Sequence, residues 1–119
     1  MPWAVEFHYE LANEFDGFTE VVQNELLAQA ARLKEFGATL GRPTVDTLKG
    51  SRIANLKELR FTADDGVWRV AFAFDRNRIA VLLAAGDKRS RDQARFYKTL
   101  IALAEHRFAS RHANGGDGG

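Results

Sequence analysis

With 119 residues, 45% of them hydrophobic and nine of them phenylalanine, the chain has enough apolar material for one domain with its own core and too little for two. It contains no cysteine, which excludes disulfides and thiolate zinc sites. The net charge of +1 conceals an asymmetry, because residues 1–50 carry eight acids against four bases and residues 51–119 carry thirteen bases against eight acids.

Val5, Phe7 and Tyr9 alternate with Ala4, Glu6 and His8, which predicts a first strand from Trp3 to Tyr9. Phe15, Phe18, Val22, Leu26, Ala30 and Leu33 then recur at spacings of three and four, one apolar stripe of a helix. Asp16-Gly17 interrupts that stripe and leaves a short helix or turn before the long one. Gly37 suits the helix C-terminus, where positive φ is needed. Gly41-Arg42-Pro43 and Lys49-Gly50-Ser51 have loop composition. Strands follow at Ile53–Phe61, Val67–Phe74 and Ile79–Ala85, joined by polar turns whose lengths suit antiparallel hairpins. Ile79–Ala85 is apolar on both faces and so belongs inside the sheet. A last helix runs from Asp92 to Ser110, with Phe96, Leu100, Leu103, Ala104 and Phe108 on its buried side and Asp92 at its cap. Residues 1–111 read as one domain and 112–119 as a flexible glycine-rich tail. The N-terminus has no basic stretch leading into an apolar run, and Ile79–Ala85 is too short to span a bilayer. A cytoplasmic location and no membrane partner are therefore expected.

The strand-rich half carries the basic excess, the electrostatic footprint of nucleic-acid binding. Read at period two, Trp68, Val70, Phe72 and Phe74 share one face, and Arg69, Ala71 and Ala73 the other. In the preceding strand Leu59 and Phe61 oppose Glu58 and Arg60. A face that shows Glu58, Arg60 and Arg69 over small residues leaves room for an anion, and phosphate is the expected one. His8, His106 and His112 lack metal-ligand spacing, so no metal or other cofactor is expected.

Several segments in order carry a family resemblance: Leu33-Lys34-Glu35-Phe36-Gly37, Leu40-Gly41-Arg42-Pro43, Leu48-Lys49-Gly50, Leu56-Lys57-Glu58-Leu59-Arg60-Phe61, Trp68-Arg69-Val70, and Val81-Leu82-Leu83 leading to Gly86-Asp87-Lys88-Arg89. In this arrangement the chain resembles the RelE/ParE superfamily of type II toxin–antitoxin toxins, nearest its HigB-like, phage-derived branch. The resemblance implies an α+β fold in the order β-α-α-β-β-β-α. Its sheet is small, twisted and mainly antiparallel, with two N-terminal helices packed on one face. It also implies a ribosome-dependent mRNA endonuclease that works without metal. The ribose 2′-hydroxyl attacks the scissile phosphate, leaving a 2′,3′-cyclic phosphate and a 5′-hydroxyl. The alternative is a ParE-like inhibitor of DNA gyrase on the same scaffold.

The same resemblance places catalytic roles on Lys57, Glu58, Arg60, Arg69 and Lys88, and RNA contacts on Arg89, Arg91 and Tyr97. Glu58 stands where RelE-like enzymes tend to carry lysine. It is either the general base, with Lys57 as the alternative, or a carboxylate that pairs with Arg60 or Arg69 and positions them. The implied partners are the ribosome, its mRNA and a helix-turn-helix antitoxin, with operator DNA bound only through the antitoxin.

Overall fold

A computed structural model describes residues 3–89 and 92–113. The elements are β1 (Ala4–Phe7), α1 (Tyr9–Phe15), α2 (Glu20–Phe36), a short 3-10 turn (Gly37–Thr39), β2 (Val45–Thr47), β3 (Lys57–Ala63), β4 (Gly66–Phe74), β5 (Ile79–Asp87) and α3 (Gln93–Ala113). The five strands form one sheet in the order β1-β5-β4-β3-β2. This is the α+β architecture expected, with three differences. β1 runs parallel to β5, so the sheet is mixed. A three-residue strand, β2, pairs antiparallel with β3 and had no signature of its own. β3 starts at Lys57, because Asn55 turns the chain with φ of 60° and Leu48 donates its N–H to the Leu56 carbonyl across the intervening loop.

Local chemistry sets the element ends. His8 and Tyr9, expected in the first strand, begin α1 instead. The His8 Nδ1 caps that helix by accepting from the Glu10 N–H at 3.1 Å. Thr19 caps α2 through the Val22 N–H, and Asp92 caps α3 through the Arg95 N–H. Gly37 ends α2 with φ of 55°, and the Trp3 indole lies where a Cβ would stand. Asp64 and Asp65, both at positive φ, make the two-residue turn that favours a tight β3–β4 hairpin. α3 continues through Ala113, past the expected helix end at Ser110 and into the expected tail; residues 114–119 lie outside the described residues.

The sheet separates two apolar layers. On one side Leu11, Val22, Leu26 and Leu33 of α1 and α2 pack on Leu59, Phe61, Val70, Phe72 and Leu82. Trp68 joins this layer. On the other side Phe96, Leu100 and Ala104 of α3 pack on Ala71, Ala73, Leu83 and the loop residues Leu48 and Leu56. The room left by the alanines of β4 is therefore filled by a helix. Residues 80–84 are all buried, which accounts for a strand without a polar face.

Buried arginines fasten the C-terminal half of α3. The β4–β5 register skips Leu83, and Arg107 donates from Nη1 to the Leu83 carbonyl at 2.8 Å. Arg107 also binds Glu10 and Glu14 of α1, and Arg111 binds Glu6 and Asp75. Among the described residues no helix is long and apolar enough to cross a membrane.

Candidate active site

β3, β4, the end of β5 and the first turns of α3 meet at one end of the sheet. Glu58 and Arg60 alternate on β3, and Arg69 stands directly opposite Arg60 on β4. Tyr97 lies over them from α3. The Glu58 carboxylate is the hub, with its side chain only 4% exposed. It accepts from the Tyr97 hydroxyl at 2.8 Å and from Arg60 Nε at 3.0 Å, and lies 3.5 Å from Arg69 Nε. Arg69 Nε also donates to the Tyr97 oxygen at 3.2 Å, and its Nη1 donates to the Trp68 carbonyl at 2.9 Å. Lys88 reaches in from the end of β5, with its ammonium 5.9 Å from the Tyr97 ring centre and 3.3 Å from the Gln93 amide oxygen.

The electrostatics follow from this packing. Burial lowers the Lys88 ammonium below the ordinary lysine value, and the positive charges of Arg69 and Arg60 add to the effect against the opposing pull of Glu58. Burial raises the Tyr97 phenol, as does its hydrogen bond to Glu58, so it stays protonated and donates. Burial alone would lower Arg60; its bond to Glu58 and the charges of Glu58 and Asp46 more than offset this and raise it.

Five of the expected site residues thus come together: Glu58, Arg60, Arg69, Lys88 and Tyr97. Three do not. Lys57 stands opposite Phe72 and in the same β3 row as Leu59, so it projects from the α1–α2 side of the sheet. Its ammonium reaches Thr47 Oγ1 at 3.5 Å. It stands apart from the cluster. Arg89 folds back on the β3–β4 turn, donating to the Asp65 carbonyl at 2.6 Å and pairing with Asp87. Arg91 lies outside the described residues.

Two features of the cluster bear on the expectations. Glu58 is engaged by a phenol and two guanidinium groups, which is the pairing with Arg60 and Arg69 set out above as the alternative to a general base. Arg69 is not on an open face, since Tyr97 covers it and its side chain is 12% exposed. Its Nη2 is the guanidinium nitrogen left without a partner among the described residues. One participant was not expected. Asp46 on β2 accepts from Arg60 Nη2 at 3.4 Å and pairs with Arg42 at 3.2 Å. A three-residue strand has too little periodicity to be read, and Asp46 was hidden with it. Among the described residues no group of three or more His, Asp or Glu side chains is arranged to hold a metal.

Comparison with known proteins comes to the same fold. The model of the family described as Phage derived protein Gp49-like (DUF891) matches residues 13–109. Two relatives are provisionally named toxins of Mycobacterium tuberculosis. HigB2 is 45% identical over 78 residues, a match spanning 65% of this chain and 38% of HigB2. HigB3 is 43% identical over 83 residues, spanning 66% of this chain and 70% of HigB3. Among solved structures, a mutant of E. coli toxin RelE in the free state superposes with a TM-score of 0.58 at 10% identity, covering 86% of this chain and 96% of that one. The archaeal RelE–RelB complex from Pyrococcus horikoshii gives 0.57 at 16% identity, covering 76% and 99%.

Proposed function

The chain belongs to the phage-derived Gp49-like family, and from that premise we propose that it is the toxin of a type II toxin–antitoxin pair that cuts mRNA on the ribosome. The observation that supports this reading best is the convergence of Arg60, Arg69 and Lys88 around Tyr97 and Glu58. A side-chain set of this kind suits an anion whose charge grows during reaction. Attack of a ribose 2′-hydroxyl on the neighbouring phosphate creates a phosphorane dianion. Fixed guanidinium groups stabilise it without reorganising. Arg69 offers Nη2, and Arg60 lies between two carboxylates at the rim.

Proton transfer falls to Lys88. A lysine with a lowered ammonium value is a usable acid and base nearer neutral pH than an exposed lysine. Deprotonated, Lys88 takes the 2′-hydroxyl proton or, protonated, returns one to the leaving 5′-oxygen. Glu58 and Tyr97 hold the cations at fixed spacing. The site alone supplies few groups to order a flexible RNA strand. The ribosome would supply that order, and slow cutting of free RNA is expected.

The partner follows from the same reading. The relatives are named as toxins and one structural neighbour is a complex with RelB. A small helix-turn-helix antitoxin encoded beside this chain would neutralise it and carry the complex to operator DNA. The test is to induce the protein without an antitoxin and map mRNA 5′ ends. Cuts within translated codons, with 5′-hydroxyl ends, that vanish in Lys88→Ala and Arg69→Ala support the reading. Growth arrest with intact mRNA and broken DNA would overturn it in favour of gyrase inhibition.

A further inference from the structure

Most of the arginines near the described site are paired with carboxylates, whereas two lysines beside it are not. Lys49, in the loop between β2 and β3, and Lys98, on α3, flank a groove of about 380 Å3. Both are exposed, and no carboxylate lies within ion-pair distance of either among the described residues. The groove has no bulky walls: Gly50 lines the loop side, and Ala94 and Ala102 line the helix side with Ile101 between them. Its volume is in the range that holds a small ligand or one unit of a larger one.

One acid lies in the groove, and it is engaged. Glu105 Oε2 accepts from the Ser51 hydroxyl at 3.0 Å and from the Arg52 N–H at 2.6 Å. These bonds hold the loop against α3 and keep the groove walls at a fixed separation. Its negative charge disfavours an anion beside it and leaves the lysines of the groove as the place for one.

The groove and the cluster are linked through α3. Tyr97, which covers Arg69, directly precedes Lys98, so the cluster and the groove occupy neighbouring sides of the same turn of α3. Asp46, which holds Arg60, lies three residues before Lys49. A strand with its scissile linkage at Lys88 and Arg69 would leave the cluster along this groove. We propose that the groove between loop 48–56 and α3 is a second subsite for RNA, in which Lys49 and Lys98 hold backbone phosphates flanking the linkage to be cut. Its features suit a backbone and no particular base: two point charges, small walls and no inward-facing amide or carboxylate left unpaired. It carries affinity and direction, not sequence preference. The inference rests on the RNA reading of the cluster, and its test is arranged to fail separately.

The probe is a short single-stranded RNA with every 2′-hydroxyl methylated, so that no attack can occur. Binding is then measured without cleavage. If each lysine neutralises one phosphate, Lys49→Ala with Lys98→Ala reduces the slope of log Kd against log salt by about 1.4 and weakens binding roughly 25-fold at about 0.1 M salt. Lys34→Ala with Arg76→Ala, on α2 and the β4–β5 turn, is the control and leaves both unchanged. Circular dichroism confirms that each double variant is folded. If the loss appears with this probe, the held phosphates belong to the substrate strand. If it appears only in sedimentation with ribosomes, they belong to ribosomal RNA. If it appears in neither, the subsite is wrong. A normal loss in a protein that leaves mRNA uncut overturns the nuclease reading and leaves the groove standing.

Discussion

Replacing Glu58 with Gln separates the two roles that a carboxylate can play at this position. The substitution keeps the shape and one acceptor oxygen, and removes the charge shared by Arg60 and Arg69. Hydrogen bonds to charged groups contribute about 1.5–3 kcal/mol each. The Arg60 hydrogen bond and the 3.5 Å ion pair with Arg69 change here, but Arg60 is 34% exposed and keeps Asp46 as a partner, so its share is discounted for solvent. A loss of about 2–3 kcal/mol of folding stability follows, read as a fall of about 1–2 M in the urea midpoint. The effect on cleavage is smaller than loss of a general base would produce. Removing a proton-transfer group costs about 10²- to 10⁴-fold. Loosening two cations that stay in place is expected to cost about tenfold, near 1.4 kcal/mol in the barrier. The assay is single-turnover cutting of mRNA on ribosomes, with Lys88→Ala beside it as the variant that loses at least about a hundredfold. A Glu58→Gln protein of unchanged stability would refute the argument from the buried counterion. A thousandfold loss in a well-folded Glu58→Gln would make Glu58 the base after all.

Three further outcomes follow from the packing. Burial lowers His8 below its ordinary value, Arg107 acts in the same direction, and Glu10 and Glu6 oppose them. The unfolded chain therefore binds a proton that the folded one refuses. Stability falls as pH drops through about 6.5, by at most about 1.4 kcal/mol per pH unit from this group. His8→Asn keeps an acceptor for the Glu10 N–H and should flatten that fall in urea titrations at about pH 7 and 5.5; coincident slopes would exclude His8 as its source. Arg107→Leu strips the buried Leu83 carbonyl of its donor while Glu10 and Glu14, 41% and 44% exposed, return to water. A cost of about 2 kcal/mol is expected, and a change under about 0.5 would show that α3 is held by apolar packing alone. Gly37→Ala puts a side chain at φ of 55° and into the Trp3 indole. It should lower stability by about 2 kcal/mol or more and shift the tryptophan emission, and a silent substitution would mean that the C-terminal end of α2 moves freely.

The parts of this fold that depend on neighbours along the chain were legible. The stripe from Val22 to Leu33 is buried as its period demands, and β4 places Trp68, Val70 and Phe72 on one side. β5 sits between β1 and β4 because apolar residues on both its faces need cover on both. What was not legible is partnership across the chain. Nothing within Ala4–Phe7 says that its neighbour runs parallel and comes more than seventy residues later. Nothing within Val45–Thr47 distinguishes three residues of edge strand from loop, since one alternation is too short to be a pattern.

The site divides along the same line, and Lys57 shows where the division falls. In Leu56-Lys57-Glu58-Leu59-Arg60 three charges crowd together, and the resemblance assigns all three to chemistry. The period of a strand puts only Glu58 and Arg60 on one side, so the residue order already argued against Lys57. Pairing is different, because no local rule reports it. Arg60 finds Asp46, Arg69 finds Glu58, Arg107 finds Glu10 and Glu14, and Arg111 finds Glu6 and Asp75. Several of these acids come from the acidic first half of the chain. Part of the charge asymmetry between the halves is thus consumed inside the fold, which makes the basic count a weaker guide to nucleic acid than it suggests. What remains for an anionic partner is the positive charge without an ionic partner. Among the described residues around the candidate site, such charge includes Lys88, Lys98 and Lys49, whereas Arg60 and Arg69 are engaged by carboxylates. A guanidinium held on two sides is suited to positioning, whereas a lone ammonium can exchange a proton or meet a phosphate. On the proposed reading, the salt dependence of binding and the pH dependence of cutting are therefore separable measurements: Lys49→Ala with Lys98→Ala is expected to change the first and Lys88→Ala the second.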